Sequence, residues 1–132
     1  MILVDTSVML DVLNDDPRWE PWSNEQLVSA ATDDRLAIND IIFAELAVGY
    51  GDLADIEAVM ADWRLQLMPI PRAGLFYVGK AYHRYRRSGG PRTGVLSDFF
   101  IGAHALAEGW PLLTRDTGRV KTYFPSVTLI SP

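Results

Sequence analysis

Met1-Ile2-Leu3-Val4-Asp5 is a short apolar run that ends on an acid, the pattern of a buried strand with a carboxylate at its exit. The same arrangement returns at Leu112-Leu113-Thr114-Arg115-Asp116. Between them, Arg35–Ile38 and Leu65–Ile70 read as further strands, and Val127–Ile130 reads as a last one. The intervening segments have helical character: Thr6–Asn14, Asn24–Thr32, a stretch reaching Val48, Leu53–Trp63, Arg72–Arg87 and Asp98–Glu108. Local punctuation agrees. Asp15-Asp16-Pro17 stops the first helix, and Pro21-Trp22 reads as loop. Asn39 or Asp40 can cap the third helix, with Gly49 and Gly51 ending it. Ser88-Gly89-Gly90-Pro91 breaks the long fifth helix, and Ser97 is placed to cap the sixth. Strands alternating with helices predict an α/β fold with a mainly parallel sheet.

The 132 residues suit one domain spanning 1–132, and 48% hydrophobic content suits a packed core. The absence of cysteine excludes disulfides, thiolate metal sites and a cysteine nucleophile. No basic segment leads into an apolar stretch at the start, and no apolar run approaches a membrane span. A cytoplasmic protein with no membrane partner is therefore expected. The net charge of −5 hides a strong asymmetry. Met1 to Trp63 holds fourteen acids and two basic residues, whereas Arg64 to Ser97 holds seven basic residues and no acid. Such a block is either a solvated basic helix or a surface for an anionic partner.

Four acids stand out. Asp5 and Asp116 each lie at the carboxyl end of a strand, where parallel α/β folds form their ligand crevice. Asp5 can equally cap the next helix, and Asp116, followed by Thr117-Gly118, can equally be a turn residue. Glu45 is the lone charge in Ile41-Ile42-Phe43-Ala44-Glu45-Leu46-Ala47-Val48. A helix apolar on nearly all faces is usually buried, and a buried carboxylate needs a partner or a metal. Asp98 sits in a first helical turn, where the helix dipole alone would favour it. Adjacent strands run about 4.8 Å apart, so carboxylates at their ends can reach one cation. An all-oxygen set without cysteine or paired histidines selects a hard ion such as Mg²⁺ or Mn²⁺. His83 and His104 lack zinc spacing, and His104 reads as a packed helix residue.

Taken in order, Ile2-Leu3-Val4-Asp5-Thr6-Ser7, Phe43-Ala44-Glu45-Leu46, Leu96-Ser97-Asp98-Phe99-Phe100-Ile101-Gly102-Ala103-His104-Ala105 and Leu112-Leu113-Thr114-Arg115-Asp116 resemble the motifs of PIN-domain nucleases. The closest likeness is to VapC-like toxins of type II (VapBC) toxin–antitoxin systems. The resemblance implies a three-layer α/β/α fold with a central, mainly parallel sheet of about five strands. It implies that Asp5, Glu45, Asp98 and Asp116 are catalytic and hold Mg²⁺ or Mn²⁺, with Ser7 and Thr114 in support. It further implies RNA cleavage, a homodimer and a VapB-like antitoxin partner. Thr117-Gly118 supplies no fifth acid, which bears on a second metal position.

A carboxylate-held cation would neutralise phosphoryl oxygens and acidify water for phosphodiester hydrolysis. Lys80, Arg84 and Arg87 share one helical face. Interleaved with Tyr82 and Tyr85, they are expected to hold RNA phosphates and stack bases, or else to meet the antitoxin. Two alternatives differ in class. One is a PIN-like module that binds RNA or a partner without cutting. The other is a phosphatase or phosphotransferase with Asp5 as nucleophile, but haloacid-dehalogenase-type enzymes want an Asp where Ser7 stands.

Overall fold

The structure, a computed structural model, describes residues 1–92 and 96–132. Its centre is a five-stranded, all-parallel sheet in the order β3-β2-β1-β4-β5. The strands are β1 (Ile2–Val4), β2 (Leu36–Ile38), β3 (Gln66–Leu67), β4 (Leu112–Leu113) and β5 (Leu129–Ile130). Every residue of β1, β2 and β4 is buried, as continuous apolar runs in a sheet covered on both faces should be. Edge strands β3 and β5 are only partly covered.

Helices flank this sheet: α1 (Thr6–Leu13), α2 (Glu20–Asp33), α3 (Asp40–Ala47), α4 (Leu53–Asp62), α5 (Arg72–Arg87), α6 (Leu96–Glu108) and α7 (Gly118–Tyr123). Asn39 caps α3 by accepting the Ile42 amide at 3.0 Å. With that carbonyl engaged, the Asn39 amide group faces the buried His104 Nδ1 of α6 at 3.1 Å. Burial lowers the His104 pKa, so its neutral ring accepts this bond. One asparagine thereby ties the start of α3 to the middle of α6, and His104 is a packed residue as the sequence suggested.

Several local expectations are corrected. Helix α2 starts at Glu20, because Pro21 falls in its first turn, where the missing N–H costs nothing. Helix α6 starts at Leu96, which puts Ser97 inside its first turn instead of before it. The Leu65–Ile70 strand contracts to Gln66–Leu67, and the short α7 had no periodicity long enough to announce it. Helix α3 is not buried all round. Ile42 and Leu46 face the core, whereas Ala44 and Val48 are exposed, Val48 at 87%. The burial argument for Glu45 therefore fails, since its side chain is only half-buried.

Candidate active site

Sheet order places the candidate residues. The chain's course across the sheet reverses between β1 and β4, the switch point where open parallel sheets leave a crevice past the carboxyl ends of their strands. Leu3 pairs with Leu112 and Val4 with Leu113, so Asp5 emerges beside Thr114. The Asp5 amide donates to the Leu113 carbonyl at 2.9 Å, fixing the backbone.

Asp5 occupies the N-cap position of α1, yet its side chain caps nothing. Its Oδ2 accepts instead from the Thr114 hydroxyl at 2.7 Å and the Ser7 hydroxyl at 3.0 Å. Thr114 is fully buried and also accepts the Asp116 amide at 3.0 Å. Its single hydroxyl proton goes to Asp5, so one threonine holds one acid and sets the turn that carries another. Burial raises the Asp5 pKa, against the opposing pull of the Thr114 and Ser7 hydroxyls.

Asp98 reaches the same crevice from the first turn of α6. Asp5, Asp98, Thr114 and Asp116 line one narrow cleft with Ile101, Leu112, Arg119 and Val120. The cleft admits about 10 Å³ of solvent, space on the scale of one water or small ion and far too little for a nucleotide. Burial pushes the Asp98 carboxyl up to about 6, with further upward pressure from Asp116, Asp5 and Glu45. The Arg119 guanidinium, 3.5 Å from Asp98, acts in the other direction. Glu45 stands apart from the cleft lining. It accepts the Thr6 hydroxyl at 2.8 Å, on the residue next to Asp5.

Among the described residues, no three acidic or imidazole side chains converge closely enough to form a ready-made metal cage. The donor set nevertheless fits a hard cation. It is all oxygen, it crowds like charges, and its nearby positive group, Arg119, sits at a long ion-pair distance.

Sequence reasoning missed three participants. Arg115, next to Asp116, grips the buried Asp11 of α1 through two bonds of 2.6 and 2.8 Å. Asp11 also accepts the Ser23 hydroxyl at 2.6 Å, and Trp19 lies 5.0 Å under the Arg115 guanidinium. This ion pair anchors the β4–α7 turn to α1 and α2. The third participant is Arg119, which lines the acid cleft and also stacks over Tyr85 at 4.9 Å. Nothing local in the sequence marks these pairings, which join residues 11 with 115 and 98 with 119.

The basic stripe of α5 is divided. Lys80, Arg84 and Arg87 are all exposed. Lys80 lies over Phe76 at 5.1 Å, in a groove with Leu75, Gly79 and His83. Arg84 lies over Tyr123 of α7 at 5.3 Å. Tyr85 and Tyr82 are not free to stack bases, because they pack on Phe99 as part of an aromatic cluster.

Stability should record the crowding of acids. The folded-state pKa of Asp98 lies above its ordinary 3.8, so the folded form takes up the proton first. Its contribution is fully present below pH 3.8 and is lost as pH climbs through about 6. In thermal melts without metal, wild type should lose stability relative to Asp98→Asn between those values. Parallel melting curves for the two proteins across that range would exclude the crowding.

Known proteins agree with this architecture. None of the curated proteins matches the chain in sequence. Among solved structures, the chain is similar to VapBC2 from Rickettsia felis bound to a promoter DNA fragment. The TM-score is 0.76 at 22% identity, covering 100% of this chain and 99% of that one. DNA-bound VapBC from Salmonella typhimurium gives 0.73 at 19%, covering 98% and 96%. VapBC-1 from nontypeable Haemophilus influenzae gives 0.72 at 19%, covering 99% and 98%. At such identities these likenesses speak for the fold. The PIN-domain family model matches residues 2–125. With that match spanning nearly all of a parallel sheet whose switch point gathers Asp5, Asp98 and Asp116, the chain belongs to the PIN domain family.

Proposed function

We propose that this chain is the toxin of a type II toxin–antitoxin pair, an endoribonuclease that hydrolyses RNA phosphodiester bonds with Mg²⁺ or Mn²⁺. The observation that carries the reading is the convergence of Asp5, Asp98 and Asp116 on one small cleft at the sheet's switch point. Asp5, Asp98 and Asp116 would hold the ion, and Glu45 would join them from α3. When bound, the ion supplies charge neutralisation at the phosphoryl oxygens and a more acidic water. Ser7 and Thr114 orient Asp5, and Thr114 also fixes the turn bearing Asp116. Arg119 offers a guanidinium to the phosphate at the mouth of the cleft.

The VapBC complexes among the structural neighbours support a VapB-like antitoxin partner, and a homodimer is proposed with it. Exposed apolar side chains, including Val48, Leu53, Leu75 and Phe76, suit such contacts. Among the described residues no helix is long and apolar enough to cross a membrane. The second reading, a PIN module that binds RNA without cutting it, is favoured by one feature, the lack of a ready-made cage among the described residues.

Incubation of purified protein with a mixed RNA pool decides between them. Cleavage should require Mg²⁺ or Mn²⁺, stop on chelation, and be lost in Asp98→Asn. Activity that survives both chelator and substitution would falsify the metal-site reading, and no cleavage by wild type with either ion would favour the binding module.

A further inference from the structure

Beside the acid cleft lies a second, wider one, between the C-terminal turn of α5 and α7. It is lined by Tyr85, Ser88, Gly90, Thr122 and Tyr123, and it shares Asp116 and Arg119 with the acid cleft. Its volume is about 530 Å³, against about 10 Å³ for its neighbour. A pocket of roughly 300–1,000 Å³ holds a small organic ligand, so this one has room for a nucleotide where the acid cleft has none.

Its chemistry suits a nucleic acid strand. Arg119 stacks over Tyr85 at 4.9 Å, and Arg84 stacks over Tyr123 at 5.3 Å. The two rings pack edge to face at 6.3 Å; Arg119 itself lines the cleft, and Arg84 adjoins it through Tyr123. Held flat on a ring, a guanidinium is pre-oriented and loses less freedom when it grips a phosphate. Ser88 and Thr122 are exposed and polar, and space is open beside Gly118. An extended sugar-phosphate backbone can therefore approach closely.

We propose that this cleft is the subsite for the nucleotide adjoining the scissile phosphate of single-stranded RNA, with Arg84 and Arg119 as its phosphate contacts. The inference rests on the nuclease reading and narrows it. A strand crossing the acids at Asp116 continues along α7 beneath Arg84 and does not follow the outer face of α5 to Lys80. Lys80 belongs to a separate groove with Leu75, Phe76, Gly79 and His83.

The test uses the full chain carrying Asp5→Asn to prevent turnover, with Mg²⁺ and a fluorescein-labelled single-stranded RNA of eight nucleotides. Anisotropy gives Kd at several salt concentrations. Arg84→Gln and Arg119→Gln should each weaken binding about tenfold and each flatten the log K against log salt slope by about 0.7, the loss of one single-strand phosphate contact. Lys80→Gln should stay within twofold. Thr122→Trp, on the exposed face of α7, fills the cleft without changing charge and should also weaken binding about tenfold. It keeps the test decisive should an arginine variant melt early. A Lys80→Gln loss equal to that of Arg84→Gln overturns the subsite in favour of diffuse attraction. Undiminished RNA affinity in both arginine variants and Thr122→Trp also overturns it and leaves the cleft as a surface for a protein partner. RNA cleavage by the wild-type chain in those cases would leave the nuclease reading standing. Failure of the parent to bind RNA, together with no RNA cleavage by the wild-type chain, would remove both.

Discussion

Asp5→Asn is expected to reduce RNA cleavage by at least about a hundredfold, because even removing a residue that only hydrogen-bonds to a metal ligand costs about 10–100-fold. The substitution keeps the shape of the side chain and leaves an oxygen to accept from Thr114 and Ser7. It removes a charge whose burial works against ionisation. Metal-free stability should therefore hold or rise while activity collapses, and that opposition is the signature of a functional acid. Thr114→Val makes the complementary case. The buried hydroxyl that bonds Asp5 and the Asp116 amide disappears, so activity should fall by about 10–100-fold, the range for a group that orients a ligand. Steady-state cleavage rates alongside thermal melts measure both. Full activity in Asp5→Asn, or a melting temperature that falls with activity, would remove Asp5 from the proposed site.

Arg115→Ala is expected to be among the most destabilising changes on the surface of the protein. It strands the Asp11 carboxylate, only 3% exposed, with the Ser23 hydroxyl as its remaining partner. Breaking a fully buried ion pair from one side costs about 3–5 kcal/mol, and the partial exposure of Arg115 places this one at or below the lower end of that range. Asp11→Ala should cost less, because Arg115 is 27% exposed and keeps its stacking on Trp19. The order of the two single variants, with Arg115→Ala the worse, is the specific expectation. The double variant should recover part of the loss, since neither charge is then left alone. Denaturant unfolding of the four proteins gives the cycle. Purely additive losses would mean that the pair does not couple, and the turn bearing Asp116 would then need another anchor.

Much of this architecture was readable in short windows. A short apolar run closed by an acid or a turn signal suits a strand covered on both faces, and β1, β2 and β4 were legible on that pattern. Acids at the ends of Val4 and Leu113 followed the same logic. The 16-residue span of α5 was bounded by Pro71 and the Ser88–Pro91 breaker and came out with the bounds read from sequence. Glu45 shows where such windows mislead. A helix of apolar residues says what can be buried, and the neighbours decide what is. With Val48 and Ala44 facing solvent, Glu45 owes its place to the Thr6 hydroxyl and not to an enclosing core.

The sequence by itself therefore determined the α/β class, the parallel strands and the positions of the acids along the chain. Those features depend on local periodicity and on how a strand ends. Only the tertiary structure decided which acids meet. The reversal of strand order between β1 and β4 set Asp5 beside Thr114 and Asp116, with Asp98 facing them from α6, and left Glu45 at the edge. It also paired Asp11 with Arg115 and set Arg119 between two clefts. Such contacts join residues far apart in sequence, and their energies arise only once the intervening chain has been packed and water excluded.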